Sequence, residues 1–146
     1  MRDEIINNFG KLDISIIYNT IDTKSFNKLS IKDINFIKKK YNLPKKFILS
    51  VGHLEKRKNY LRLIKAINIL KKSDKNIRLI IIGQKADETD KINSLIKKLN
   101  LNLNIKILSN LDDFEVKCFY KSASLFVFPS TYEGFGIPIL ESMASD

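Results

Sequence analysis

Pro129-Ser130-Thr131-Tyr132-Glu133-Gly134-Phe135-Gly136-Ile137-Pro138-Ile139-Leu140-Glu141 decides how this 146-residue chain is read. The apolar run at 125–128 just before it reads as a buried strand. A helical pattern starts at Pro138, where proline is welcome because a first-turn N–H has no intrahelical partner. Strand, glycine loop and helix therefore follow one another. Gly134 and Gly136 let the backbone turn tightly and approach a ligand, while the first helical N–H groups and the positive end of the dipole face the loop. An anion suits that position. Glu133 and Glu141 bracket it, and carboxylates, being acceptors, suit hydroxyl groups rather than phosphate. A ligand with an anionic middle and hydroxylated ends would satisfy all of these groups. A structural account fits the same spacing: Glu141 complements the helix dipole, the glycines serve the turn, and Glu133 is solvated.

Upstream, the strand-to-helix alternation repeats. Residues 47–51 form an apolar strand, and Gly52 opens a loop carrying Glu55-Lys56-Arg57-Lys58 into a helix from about Asn59, with Leu63, Ala66, Ile67 and Leu70 on its core face. Arg57 and Lys58 lie at a loop-to-helix junction, where a guanidinium and an ammonium can neutralise a departing diphosphate. Basic loops are also common as solvated surface. Further strands are expected at 77–82, ending at Gly83, and at 105–108. The helices between them carry Ile92, Leu95, Ile96 and Leu99 on one face, and Phe114 and Phe119 inside a segment capped by Asp112 or Asp113. Ahead of the alternation the pattern predicts a short helix over 1–11, a strand over 14–18 and a capped helix over 30–41. That last helix would turn Ile31, Ile34 and Ile37 to one side and its lysine run to solvent. Strands that are apolar throughout belong to a parallel sheet covered on both faces, so the fold class is α/β, a Rossmann-like parallel sheet with helices on both faces. Such sheets bind ligands at the carboxyl ends of their strands, where the loops after Val51 and Phe128 both lie.

The stretch 129–141 resembles the E-x7-E signature of family-4 glycosyltransferases, with Glu133 and Glu141 at the acidic positions and Pro129-Ser130, Gly134-Phe135-Gly136 and Pro138 also matching. The resemblance implies that Glu133 and the amides of Gly134, Phe135 and Gly136 hold a donor sugar, and that Glu141 holds the ribose of the nucleotide. Gly52-His53-Leu54-Glu55-Lys56-Arg57-Lys58-Asn59 is similar to the family's Val-Gly-x-Leu-x-x-Arg-Lys-Asn segment, which implies a donor site at Gly52 with Arg57 and Lys58 on the diphosphate. Many members carry arginine directly after that glycine, where this chain has His53. A base role for His53 is weighed against a structural one, the commoner fate of a lone histidine. Tyr18-Asn19-Thr20-Ile21-Asp22 is similar to the Tyr-Asn-Gly-Val/Ile-Asp segment that enters the nucleotide domain, with Thr20 as the departure.

Carried to the whole chain, the resemblance implies an incomplete C-terminal half of a GT-B fold. Residues 1–146 would be a single nucleotide-sugar-binding domain, with a lead-in segment at 1–24 and a βα core at 45–146. It implies a retaining, metal-independent transfer of a sugar from a nucleoside diphosphate sugar to an acceptor hydroxyl, with Arg57, Lys58 and Glu133 catalytic and no cofactor. The acceptor, a saccharide or a lipid-linked one, would be held by a domain absent from these residues. The 146 residues alone are therefore expected to bind nucleotide without transferring sugar. Two alternatives stand beside this reading: a nucleotide-sugar binding module with no activity, and a basic α/β domain that contacts nucleic acid or membrane.

The formal net charge of +10 is what raises the last alternative. Only four of the 26 basic residues are arginine, the lysines are scattered over helix faces, and no aromatic-interleaved basic strand is present, which argues against nucleic acid. Lysine pairs such as Lys45-Lys46, Lys71-Lys72 and Lys97-Lys98 leave a peripheral membrane contact as the better residual expectation. No apolar stretch is long enough to cross a bilayer, and Met1-Arg2-Asp3-Glu4 lacks the charge pattern of a secretion signal. With a single cysteine, Cys118, the expected location is cytoplasmic, at or near the inner face of a membrane, and the thiol's expected role is packing. One histidine and one cysteine make no zinc cluster.

Overall fold

The computed structural model describes residues 2–10, 13, 15 and 17–145. Four strands, β1 (Ile48–Val51), β2 (Leu79–Ile82), β3 (Ile105–Leu108) and β4 (Leu125–Phe126), pair in parallel in the order β3-β2-β1-β4. Every residue of β2 is buried because it is central: Leu79 and Ile81 point into one apolar layer, and Ile80 and Ile82 into the other. The first layer is closed by α4 (Tyr60–Leu70) and α5 (Thr89–Lys98), through Leu63, Ile64, Ile67, Ile92 and Ile96. The second is closed by α2 (Thr23–Asn27), α3 (Ile31–Lys40) and α6 (Asp113–Ser122), through Phe26, Ile37, Cys118 and Phe119. Each such side chain, fully buried, contributes about 1.5–3 kcal/mol, so the two layers together carry the fold. Burial pushes the Cys118 thiol up to about 11, as suits a packing residue.

Chain direction is controlled at the helix ends. Ser30 and Asp112 each form a reciprocal capping box, with Asp33 and Glu115 respectively. The four described non-glycine residues with positive φ are all asparagine: Asn42, Asn59, Asn100 and Asn110. Asn42 and Asn100 end α3 and α5 in the same way. The Leu43 N–H reaches back to the Lys38 carbonyl, and the Leu101 N–H to that of Ile96.

Several expectations need correction. Of the strand expected over 14–18, Ile14 and Ile16 lie outside the described residues, and Ser15, Ile17 and Tyr18 have no strand pairing. The first helix, α1, runs Arg2–Phe9, and α2 was not anticipated, because five residues are too few to show a period. Ile31, Leu70 and Phe114 are exposed, as is Ala66; on α4 the buried stripe is Tyr60, Leu63, Ile64 and Ile67 instead. The buried strand expected at 125–128 shrinks to two residues on the sheet edge, with Leu125 55 % exposed. Lys40 is exposed, as expected of the lysine run, and in addition bonds the carboxylate of buried Glu115 at 2.6 Å.

Strand order sets the position of the site. From β1 the chain leaves to α4 on one face, whereas β4 arrives from α6 on the other and continues into α7 (Ile137–Met143), which touches α6. The carboxyl ends of β1 and β4 are thus neighbours whose loops diverge to opposite faces, which opens a crevice between them.

The Glu115 carboxylate accepts from Lys40 Nζ, the Tyr41 hydroxyl (2.7 Å) and the Asp112 N–H (3.2 Å), tying α3 to α6. The Lys40 bond, together with those from Tyr41 and Asp112, outweighs burial and holds this carboxyl below its usual range. A depressed carboxyl stabilises the fold fully above its unfolded value, about 4.3, and that stability is lost as pH falls through the lower folded value. Glu115→Gln should therefore melt earlier than the parent at pH 7, and the gap should close in melts taken below about pH 4. A gap that is constant with pH would mean that the ionised form contributes nothing.

Candidate functional site

The site is built from two loops. After β1 the backbone turns at Gly52 with φ +152°, a region that favours glycine, and a Cβ there would lie 2.8 Å from Cε of Lys58. Lys58 therefore runs back beneath Gly52. The buried Tyr60 hydroxyl donates to the Gly52 carbonyl at 2.9 Å, and Gly83 packs so closely that its Cβ would stand 1.9 Å from the same oxygen. Burial raises that hydroxyl to about 12, so it stays a neutral donor. His53 has a structural partner: its Nδ1 accepts the Gln84 N–H at 3.2 Å. A single 3-10 turn over Lys56–Lys58 ends at Asn59 in the left-handed region (φ +57°), and this orients the basic pair.

The second loop follows β4 and is stitched to the first. The Asn59 side-chain amide donates to the Pro129 carbonyl at 3.1 Å, and the Thr131 N–H donates to the Arg57 carbonyl at 2.9 Å. The stitch delivers Glu133 onto the basic pair. Its two oxygens accept from Arg57 Nη1 at 2.6 Å and from Lys58 Nζ at 2.7 Å, while Arg57 Nε also bonds Glu55 at 2.7 Å. Lys58 is buried, with its ammonium 5.0 Å from the centre of the Phe128 ring. Burial alone would raise the Glu133 carboxyl, but its bonds with Lys58 and Arg57 prevail and keep it below its usual range. The Glu133 bond raises the Arg57 guanidinium in turn. Glu133 and Arg57 thus hold each other in their ionised forms.

Two open clefts meet at this cluster. One, of about 600 Å³, is lined by Ile17, Tyr18, Asn19, the loop from Glu133 to Gly136, Ile137 and Pro138. The other, of about 320 Å³, lies across the carboxyl ends of β1 to β3 and is lined by Val51, Gly52, His53, Arg57, Lys58, Ile82, Gly83, Gln84 and 109–111. Gly136 takes φ +87° and the turn requires it, but Gly134 has an ordinary φ and a Cβ there would meet nothing within 4 Å. The fold leaves room at Gly134 that it does not use.

Of the residues singled out from sequence, Gly52, Arg57, Lys58, Glu133, Gly134, Phe135 and Gly136 come together around these clefts. Glu141 does not line either cleft; on α7 its carboxylate accepts from the buried Tyr120 hydroxyl at 2.9 Å. Burial, followed by the Glu141 charge, raises that hydroxyl strongly. Sequence reasoning missed Asn59, Tyr60, Gly83 and Thr131, which hold the loops rather than face the clefts. Asn59 had a signal in its place directly after Arg57-Lys58; Thr131, a polar loop residue, had none.

Comparison with known proteins identifies the fold and the family. Over 147 aligned residues, 97 % of this chain, 33 % are identical to an N-acetylgalactosamine-N,N'-diacetylbacillosaminyl-diphospho-undecaprenol 4-alpha-N-acetylgalactosaminyltransferase of Campylobacter jejuni, 36 % of whose length is covered. The serotype-specific mannosyltransferase WbdA of Escherichia coli is 35 % identical over 78 % of the chain, and 14 % of that protein is covered. The chain thus spans about a third or less of these curated relatives. Among solved structures, the C-terminal domain of the group 1 glycosyl transferase LpcC from Francisella tularensis superposes with a TM-score of 0.71 at 25 % identity, covering 86 % of this chain and 67 % of that one. Anabaena HepE, solved with UDP, superposes at 0.76 with 23 % identity, covering 90 % and 36 %. The fold is that of the C-terminal domain of GT-B glycosyltransferases. Since the model for glycosyl transferases group 1 also matches residues 32–146, the chain belongs to that glycosyltransferase family.

Proposed function

We propose that this chain is the donor-binding part of a retaining glycosyltransferase that moves a sugar from a nucleoside diphosphate sugar to an acceptor hydroxyl. The observation that carries the reading is the convergence of Arg57, Lys58 and Glu133, from two different loops, where two clefts meet. In such a transfer the bond from the anomeric carbon to the diphosphate breaks and its electron pair goes to the leaving oxygen. A bond to the acceptor oxygen forms, and the acceptor's proton goes to the departing diphosphate. Charge therefore grows on the diphosphate in the transition state, and preorganised cations at that point lower the barrier. Arg57 and Lys58 fill this role. Lys58 is the stronger element, because a buried ammonium pinned beneath Gly52 has little reorganisation left to do.

Glu133 has a second part in this scheme. Without ligand it neutralises both cations. When phosphate oxygens take over Arg57 and Lys58, its carboxylate becomes free to accept sugar hydroxyls in the larger cleft. The nucleoside then occupies the cleft across β1 to β3. HepE, a similar fold, was obtained with UDP, which is consistent with a nucleotide ligand for this fold. The ribose role implied for Glu141 is compatible with its Tyr120 bond, which takes one acceptor site of one carboxylate oxygen and leaves others for hydroxyls.

Calorimetry on two variants tests the reading. Lys58→Ala should cost more affinity for UDP or GDP than for the matching monophosphates, by at least about tenfold, since a charge-assisted bond contributes about 1.5–3 kcal/mol; equal losses would move Lys58 off the diphosphate. Gly134→Ala should melt like the parent, because its Cβ meets no protein atom, yet bind the nucleotide sugar more weakly. An unchanged affinity would remove the glycine loop from the donor site.

A further inference from the structure

Of the exposed aromatic residues near the site, Tyr132 lines neither cleft, while Tyr18 and Phe135 share one. Phe26, Tyr60 and Phe119 are buried to within 1 % and serve the core, whereas Tyr18 is 70 % exposed and Phe135 42 %. Their rings lie beside each other with centroids 6.5 Å apart and planes tilted by 32°. They arrive from opposite ends of the sequence, Phe135 from the glycine loop and Tyr18 from the segment ahead of α2, and both line the 600 Å³ cleft that Glu133 also lines. Two exposed rings that line one cleft beside polar groups form a surface a ligand can cover.

A pyranose has two kinds of surface: an edge of hydroxyls and a face of C–H bonds. The negative face of an aromatic ring attracts polarised C–H groups, while carboxylates and amides take hydroxyls. The cleft offers both, since Glu133, Gly134 and the two rings all line it. We propose that Tyr18, beside Phe135, is a sugar-contacting residue on which the C–H face of the transferred sugar packs, and that it helps to determine which sugar is accepted. The inference rests on the donor-site reading above. It adds a contact from outside both the glycine loop and the basic loop. An axial hydroxyl on the packed face would lift the sugar from the ring, which is how the contact discriminates.

The chain has no tryptophan, so Tyr18→Trp supplies a single emitting indole at the proposed contact. Its emission should shift on addition of an accepted nucleotide sugar, from a panel of UDP-glucose, UDP-N-acetylglucosamine and GDP-mannose, and should not respond to UDP or GDP alone. In calorimetry, Tyr18→Ala should leave UDP and GDP affinity unchanged while the extra affinity due to the sugar falls about three- to tenfold. Emission that responds equally to the bare diphosphate would assign the ring to the nucleoside and overturn the proposal. So would an unchanged sugar increment in Tyr18→Ala, with the donor site itself left standing. If the parent binds no nucleotide at all, the donor-site reading fails and this proposal fails with it.

Discussion

The shared carboxylate of Glu133 is the constraint on which the rest of the site depends. Lys58 is buried, and a buried ammonium without a partner is costly, so Glu133 must come to it. To do so the loop after β4 has to lie against the loop after β1, and the Asn59 and Thr131 hydrogen bonds fix it there. That approach is available only because β4 pairs with β1 and leaves toward the opposite face. Sheet order, loop contact and ion cluster thus form one chain of requirements. Glu55 and Glu133 together balance the formal charges of Arg57 and Lys58. On the proposed reading, a diphosphate would exchange one set of charge-assisted bonds for another.

Much of the fold was legible because burial on both sheet faces leaves a plain signature. Residues 79–82 are apolar without alternation, and a central parallel strand demands that. Legibility failed where position in the sheet decides exposure. Leu125 is as apolar as Leu79, yet it lies on an edge, and nothing local distinguishes the two. Ala66 and Leu70 share the period of Leu63 and Ile67 but sit on the flank of α4 that turns away from the sheet. Helix ends were easier, because Ser30, Asp112 and Asn42 act through contacts within a few residues.

The site divides in the same way. Arg57, Lys58, Glu133 and the glycine loop could be found because their residue types carry chemistry at strand ends. The residues that hold them, Tyr60 against the Gly52 carbonyl and Asn59 against Pro129, act across as many as 70 positions and show no spacing. Glu141, eight residues after Glu133, lies on α7, where its carboxylate accepts from Tyr120, a partner that its spacing did not announce. A glycine's meaning was also ambiguous until the surroundings were known: Gly83 is required by a neighbouring carbonyl, while Gly134 is required by nothing in the protein.

The central claim is that Glu133 occupies the phosphate ligands' cations in the resting state and the sugar's hydroxyls in the bound one. Titration of Glu133→Gln with UDP and GDP, and with the sugar derivative of each, tests it most directly. Removing the competing charge should leave the bare diphosphate bound at least as tightly as by the parent, while the added affinity due to the sugar falls. An equal loss of affinity for the bare diphosphate and the nucleotide sugar would contradict the claim and reduce Glu133 to a structural partner of Arg57 and Lys58.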